Sequence, residues 1–286
     1  MLRASAIALV MLATLGALAA AALAGRTERP VASTFAARAG LPTTPQVSSN
    51  WSGYTAVAPA AGTSGFTDVT ATWVQPQTTC LTGRSDSVAV WVGLGGNDST
   101  SQALEQLGTE ADCNGSSTTP VSSAWWEIVP AAAVRLPLKI RPGDRINAAV
   151  FIKGQTVTMS LKNLTRKTRF SKTQTVTQPL DLSSAEWIVE APSLCSTDGH
   201  CRTLPLTQFG TVTFANAAAI GNGHPGTISD PTWTAAPVEL ITGNGGDFFF
   251  AGDVLGPGVG ALPGDLSADG RSFTVSWQQS LTPPAP

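Results

Sequence analysis

The sequence has few of the residues on which common hydrolases depend. Its 286 residues include only two histidines, His200 and His224. There is no Gly-x-Ser-x-Gly elbow and no His-Glu-x-x-His segment, which disfavours a serine triad and a zinc peptidase site. Asp-Thr-Gly and Asp-Ser-Gly are also missing, which disfavours an aspartic peptidase. We expect both histidines to be exposed loop residues without a catalytic role.

Cysteine is also scarce, with four residues at Cys80, Cys113, Cys195 and Cys201. No Cys-x-x-Cys pair is present, so a zinc site is disfavoured, and we expect neither a metal nor a cofactor. An even number of cysteines in an exported chain favours disulfides. Three pairings are possible. We favour Cys80 with Cys113 and Cys195 with Cys201, because the second pair closes a short loop.

One apolar run stands out, at the N-terminus. Residues 1–24 carry a positive charge at Arg3, continue through an apolar stretch and end in small residues. This pattern is typical of a secretory signal peptide with cleavage after Ala24, and it predicts a secreted, extracellular protein. A membrane anchor is the alternative, although the run is short for a span of roughly 20 residues.

Residues 25–47 contain three arginines and three prolines without sustained periodicity, as is typical of a short pro-segment or flexible leader. Residues 1–47 hold four arginines and one glutamate of the chain's 17 basic and 19 acidic residues, which leaves 13 basic and 18 acidic residues in residues 48–286. This mildly acidic part is not expected to bind nucleic acid, nor a membrane once the signal is removed.

The sequence of residues 48–286 predicts a single all-β domain. Runs rich in Val, Thr, Trp and Phe recur between Gly, Pro and Asn residues. Residues 66–74 and 87–94 alternate between apolar and other side chains, and residues 145–153 and 156–162 predict a hairpin around Gly154. Further strands are expected at residues 209–215, 238–242 and 271–278. No internal repeat is visible.

Two glutamates stand on the otherwise apolar segment Ala185-Glu186-Trp187-Ile188-Val189-Glu190. On a strand, Glu186, Ile188 and Glu190 share one face, while Trp187 and Val189 pack on the other. We therefore expect the carboxylates on an exposed face. An unpaired carboxylate on such a strand calls for a salt bridge or a chemical role.

Five segments carry a family resemblance: Asn50-Trp51-Ser52-Gly53-Tyr54, Val90-Trp91-Val92-Gly93-Leu94-Gly95-Gly96, Glu105-Gln106-Leu107-Gly108, Ala124-Trp125-Trp126-Glu127 and Ala185-Glu186-Trp187-Ile188-Val189-Glu190. In order and spacing, the chain from about Ser49 onward resembles the glutamic peptidases, the eqolisin family, in a bacterial-type member. The resemblance implies a bent β-sandwich of two large antiparallel sheets, a concanavalin-like jelly roll. It also implies a monomeric, acid-acting endopeptidase whose partners are protein or peptide substrates.

The resemblance assigns the catalytic pair to Gln106 and Glu190. Glu190 would act as general base and then general acid for an attacking water, while the Gln106 amide donates to the developing oxyanion, without a covalent intermediate. Further cleft residues that would bind substrate are Trp51, Trp91, Glu110, Glu127 and Glu186. Near neutral pH, leader arginines would pair with cleft carboxylates such as Glu190 or Glu127 and keep the zymogen inactive.

At Gly95 the chain lacks an acid that fungal members of the family carry in the cleft. A sugar-binding or sugar-cleaving β-sandwich is the main alternative function. However, Glu186 and Glu190 would lie roughly 13 Å apart on one strand, whereas a retaining glycosidase needs its carboxyl groups about 5 Å apart. A non-catalytic secreted adhesion or cell-wall domain is the third possibility.

Overall fold

The computed structural model describes residues 45–58, 65–98, 101–195, 201–242, 259–279 and 281. This part of the chain contains eighteen strands and no helix. The strands are β1 (Gln46–Ser48), β2 (Trp51–Val57), β3 (Phe66–Val74), β4 (Ser85–Leu94), β5 (Glu105–Asn114), β6 (Val121–Ile128), β7 (Val134–Arg135), β8 (Arg145–Lys153), β9 (Thr156–Asn163), β10 (Thr168–Thr175), β11 (Ser184–Glu190), β12 (Ser193–Cys195), β13 (Cys201–Thr203), β14 (Thr211–Gly221), β15 (His224–Gly226), β16 (Thr234–Ile241), β17 (Gly260–Pro263) and β18 (Phe273–Gln278).

Sixteen strands form one curled sheet whose halves pack against each other. Its main path runs β10-β9-β8-β3-β14-β18-β17-β16-β2-β11-β4-β5-β6-β7, with β1 and β15 at its sides and β12–β13 as a separate pair. Every pairing along the path is antiparallel, and only β1 with β16 is parallel among the described pairs. The predicted bent, antiparallel β-sandwich is confirmed.

Two tryptophans tie the halves of the sandwich together through the main core. Trp187 on β11 donates its indole N–H to the Thr70 carbonyl on β3 at 2.9 Å. Trp73 on β3 donates in the opposite direction, to the Thr109 hydroxyl on β5, also at 2.9 Å. Both tryptophans are buried, so these bonds satisfy polar groups that would otherwise destabilise the core.

The alternation read from the sequence corresponds to the observed strands. Residues 66–74 form β3, and residues 87–94 lie within β4. The predicted hairpin is β8–β9, whose turn holds Gly154 at φ 58°. The three later strands are present with shifted ends, as β14, β16 and β18.

The Cys80–Cys113 disulfide is present, with the two Cα atoms 5.3 Å apart. It links the end of β5 to the connection between β3 and β4. Cys195 and Cys201 are directly opposite each other in the β12–β13 backbone pairing, but their side chains lie outside the described part, so that bond stays a prediction.

Residues 1–44, which hold the predicted signal peptide and nearly all of the predicted leader, lie outside the described residues. The parallel strand β1 includes Gln46 and Val47, which the sequence analysis assigned to the end of the leader. These two residues therefore contribute to the sheet. No helix long and apolar enough to cross a bilayer occurs in the described part.

One carboxyl group lies on the core-facing side of the sheet. Glu105 begins β5 and pairs with Leu94 and Ile128, whose side chains belong to the main core. Glu105 is fully buried, and neither of its carboxyl oxygens has a hydrogen-bond partner among the described residues. Burial, together with the negative charge of Asp181, raises the pKa of Glu105 to about 8. The folded protein therefore holds this proton well above the pH at which the unfolded chain releases it.

We expect the protein to lose stability as the pH rises. Between the unfolded pKa of Glu105, about 4.3, and its folded pKa of about 8, the folded state binds the extra proton. The free energy of unfolding should therefore fall across this window by up to about 1.4 kcal/mol per pH unit from this group. Glu105→Gln should make the free energy of unfolding fall less steeply with pH, and near pH 4 its value should match that of the original protein. Thermal unfolding from pH 4 to 8 measures both, and equal slopes for the two proteins would contradict the prediction.

Candidate active site

One face of the curled sheet, here called the site face, carries every residue of the predicted catalytic pair and cleft. It spans β2, β11, β4, β5 and β6, in that order across the sheet. Directly opposed residues in neighbouring antiparallel strands point to the same side, so the register shows which side chains lie together. Side chains of the intervening residues, such as Trp187 and Leu107, point into the main core.

Three rows of side chains cross the site face. The first row is Thr55, Glu186, Gly93, Gln106 and Glu127. The second row is Gly53, Ile188, Trp91, Gly108 and Trp125. The third row is Trp51, Glu190, Ala89, Glu110 and Ser123. Apolar members of the second and third rows form a small cluster separate from the main core.

Glu186 and Gln106 face each other across Gly93. Gly93 on β4 is opposed by Glu186 on one side and by Gln106 on the other, so their Cα atoms are roughly 10 Å apart, two strand spacings. A Cβ atom on Gly93 would lie 3.2 Å from the Cβ of Gln106 and 2.9 Å from the Trp91 ring. Leu104 Cδ1 would lie 3.0 Å from the same Cβ position, so the Trp91 ring and the Leu104 side chain cover the glycine that Glu186 and Gln106 flank.

Glu190 lies two rows away from Gln106. Its opposed residue on β4 is Ala89, whereas that of Gln106 is Gly93. The four-residue offset corresponds to roughly 13 Å along the strand, in addition to the two strand spacings. The register therefore places Gln106 and Glu190, the pair assigned from the sequence, in different rows, and it places Glu186 in the same row as Gln106.

Gln106 has a fixed side-chain orientation. Its Nε2 donates to Glu127 Oε2 at 2.8 Å, and its Oε1 has no hydrogen-bond partner among the described residues. Because a carboxylate oxygen only accepts from an amide nitrogen, the bond to Glu127 distinguishes the two ends of the amide. The second hydrogen of Nε2 remains for another acceptor.

Glu186 is a buried carboxyl without a hydrogen bond of ordinary geometry. It is fully buried, and both of its oxygens lack a partner among the described residues. The expectation of an exposed face is therefore wrong for Glu186 and Glu190, since both are buried. Burial raises the pKa of Glu186 well above its usual range, the nearby Ser184 hydroxyl opposes this shift, and the charges of Asp181 and Glu105 add to it.

Asp181 is a site residue that the sequence analysis missed. It accepts from the Ser101 hydroxyl at 2.6 Å and from the Gly96 backbone N–H at 3.0 Å. Burial acts to raise its pKa, but hydrogen bonds from Ser101, Ser183 and Gly96 outweigh it and hold the pKa below the usual range. Gly95 stands where this chain lacks the acid of the fungal family members. It has φ +81°, and a Cβ there would lie 2.8 Å from the Asp181 Cβ. The Asp181 side chain, from the segment that precedes β11, thus lies beside Gly95.

The remaining predicted residues occupy the second and third rows. Trp51 and Trp91 contact edge to face, with ring centroids 5.0 Å apart. Glu190 accepts from the Trp91 indole at 2.7 Å and from Asn50 Nδ2 at 2.9 Å. Asn50, like Asp181, was not assigned a role from the sequence. Glu110 is buried in the third row, away from Glu186 and Gln106.

Other hydrolase chemistry finds little support in the described residues. His224 is half-exposed and lies 3.1 Å from Asp230, far from the site face in the sheet order. His200 lies outside the described part. Among the residues that the structure covers, no three His, Cys, Asp or Glu side chains are grouped to hold a metal ion.

Solved structures of glutamic peptidases share this fold. Scytalido-glutamic peptidase, crystallised with a peptide-based transition-state analogue, is 24% identical with a TM-score of 0.62. SCP-B, an eqolisin in complex with the tripeptide Ala-Ile-His, is 23% identical with a TM-score of 0.59. Each likeness covers 80% of this chain and 98% of the other. Among curated protein sequences, none matches this chain.

Family membership follows from the sequence match. The model of the peptidase A4 family matches residues 49–245, which is more than half of the chain and includes all three rows of the site face. The matched range begins where the resemblance to the glutamic peptidases begins. The chain therefore belongs to the peptidase A4 family and is a glutamic endopeptidase.

Proposed function

We propose that the protein hydrolyses peptide bonds by direct attack of a water held between Glu186 and Gln106. The observation that carries this proposal is the register that opposes both residues to Gly93, which has no side chain of its own. It revises the pair assigned from the sequence by replacing Glu190 with Glu186. Glu186 is a buried carboxyl group without a hydrogen bond of ordinary geometry among the described residues, and Gln106 is an oriented amide.

Each residue of the first row has a separate task in this reaction. The Glu186 carboxylate takes a proton from the water, whose oxygen bonds to the scissile carbonyl carbon. Gln106 donates its second Nε2 hydrogen to the carbonyl oxygen as negative charge develops, and Glu127 holds the amide in place. As the C–N bond breaks, Glu186 returns the proton to the leaving amine, so no covalent intermediate forms.

Substitution of Glu186 and of Gln106 tests the proposed pair. Glu186→Gln should fold normally and lower kcat/KM by at least about a thousandfold, because an amide cannot accept and return the proton. Gln106→Ala should lower kcat by about a hundred- to a thousandfold through loss of the oxyanion donor. Peptide cleavage across acidic pH, with circular dichroism to confirm folding, measures both effects.

Glu239→Gln is the matched control for this comparison. Glu239 is a half-buried glutamate on β16, and it neighbours Val238, which belongs to the small cluster of the site face. β16 lies outside the strands that carry Glu186 and Gln106, and Glu239→Gln should keep near-normal activity. Cleavage should also resist chelators and serine reagents. A folded Glu186→Gln protein with near-normal kcat/KM would exclude Glu186 as the base.

The pH dependence should report the carboxylates around Glu186. A general base must be deprotonated, so the raised pKa of Glu186 should place the acidic limb of kcat/KM above the ordinary glutamate value of about 4.3. Asp181→Asn removes a negative charge that raises this pKa, and the limb should move to lower pH. Glu239→Gln is the control, because Glu239 is not among the charges that raise this pKa. An acidic limb of kcat/KM at the same pH in all three proteins would contradict this assignment.

We also propose export and activation by removal of the leader. All residues assigned to the signal peptide and leader except the last two precede β1, which pairs with β16, so cleavage before Gln46 leaves the sheet intact. Leader arginines would pair with site-face carboxylates near neutral pH, and acid would protonate those carboxylates and weaken the contact.

N-terminal sequencing tests export and activation. The protein from the culture medium should begin near Gly25 at neutral pH and should begin at or shortly before Gln46 after acid treatment, with a rise in activity. A precursor cleaved only at the signal site that is fully active and keeps its leader in acid would contradict this proposal.

A further inference from the structure

Glu190 takes part in a buried network that reaches from the start of the domain to the middle of the site face. Its Oε1 accepts from Asn50 Nδ2 at 2.9 Å, and its Oε2 accepts from Trp91 Nε1 at 2.7 Å. Ser48 donates its hydroxyl hydrogen to Asn50 Oδ1 at 3.2 Å and accepts from the Trp51 backbone N–H at 3.0 Å. Each carboxylate oxygen of Glu190 therefore already has a donor from the protein.

The opposite edge of the Trp91 indole lies beside the first row. The Trp91 ring carbon Cζ3 would be 2.9 Å from a Cβ atom on Gly93, whose position is also 3.2 Å from the Gln106 Cβ. In an indole, Cζ3 and Nε1 are on opposite edges of the ring system. The ring thus spans the second row, from Glu190 in the third row to the space between Glu186 and Gln106.

Neighbours on the site face leave rotation about the Trp91 side chain as the main remaining freedom. Gly108, directly opposite on β5, makes room for it, because a Cβ there would lie 2.6 Å from the Trp91 Cβ. Trp51 packs edge to face against the ring, with planes inclined by 78°. The hydrogen bond to Glu190 selects one orientation of the indole, and with it the position of the ring edge at Gly93.

We propose that Glu190 is a positioning residue, which together with Asn50 holds the Trp91 ring edge against the space shared by Glu186 and Gln106. This inference rests on the proposed pairing of those two residues. A turned or loosened indole would enter that space or leave it open to additional water, so the attacking water would lose its defined position. Displacements of about 1 Å in an active site can cost on the order of a hundredfold in rate.

The test compares Glu190→Gln, Trp91→Phe and the protein with both changes. Glu190→Gln keeps one acceptor oxygen and replaces the other with an amide nitrogen, so the side chain can no longer accept from both Asn50 and the Trp91 indole. Trp91→Phe keeps an aromatic ring but removes the N–H. We expect each change to lower kcat/KM by about ten- to a hundredfold. The double change should cost no more than the larger single one, because both break the same contact.

Two further readouts separate positioning from proton transfer. The acidic limb of kcat/KM should stay in place in Glu190→Gln, whereas the near-ultraviolet circular dichroism of the tryptophans should change. Trp125→Phe is the matched control, because its indole N–H has no hydrogen-bond partner among the described residues. It measures how much kcat/KM falls when an indole in the same row is replaced without breaking a hydrogen bond. This fall should be smaller than in Trp91→Phe.

The outcomes distinguish this inference from the proposed function. A folded Glu190→Gln protein as inactive as Glu186→Gln, or additive losses in the double change, would overturn the positioning role. Unchanged kinetics in Glu190→Gln with only a lower melting temperature would overturn it as well. If Glu190→Gln does not fold, the test depends on Trp91→Phe. A loss of kcat/KM in Trp91→Phe that is no larger than in Trp125→Phe would then reject the inference. A fully active Glu186→Gln protein would reject the proposed pair itself.

Discussion

The site depends on one constraint, the alignment of three neighbouring strands around a glycine. Gly93 occupies the position between Glu186 on β11 and Gln106 on β5. A larger residue would contact Gln106 and the Trp91 ring. A shift of either strand by one residue would turn the whole set of side chains to the core. The backbone pairing therefore determines which acid can meet the amide, and the other contacts of the site face adjust to that arrangement.

Burial of several carboxyl groups links the stability of the fold to the chemistry of the site. Neither Glu105 on the core side nor Glu186 on the site face has a hydrogen bond of ordinary geometry in the described part, and burial raises the pKa of each. A buried carboxyl group is tolerated mainly in its neutral form. The same dry surroundings strengthen Glu186 as a base and make the folded state favour acid. Asp181, with donors from three groups, stays charged between them.

Much of the fold could be predicted from the sequence, but the partner that we propose for Gln106 could not. Alternating side chains predicted β3, β4 and the β8–β9 hairpin, because a two-residue period is a local property of a strand. Glu186 and Glu190 are equivalent by that period, since both point to the same face of β11. Only the pairing with β4 separates them, and pairing between distant segments leaves no local pattern. Asp181 and Asn50 were missed for the same reason, as their contacts are with distant segments.

The two glutamates of β11 acquire different chemistry from their neighbours rather than from their own segment. Glu190 meets an indole N–H and an amide N–H, and a carboxylate that accepts from both is held in place as an acceptor. Glu186 is opposed by Gly93 and Thr55, and the nearby Ser184 hydroxyl makes no hydrogen bond of ordinary geometry to it. A base that must exchange a proton with water works best when no protein donor competes for its lone pairs. Two identical side chains on one face can therefore divide into a support and a reactive group.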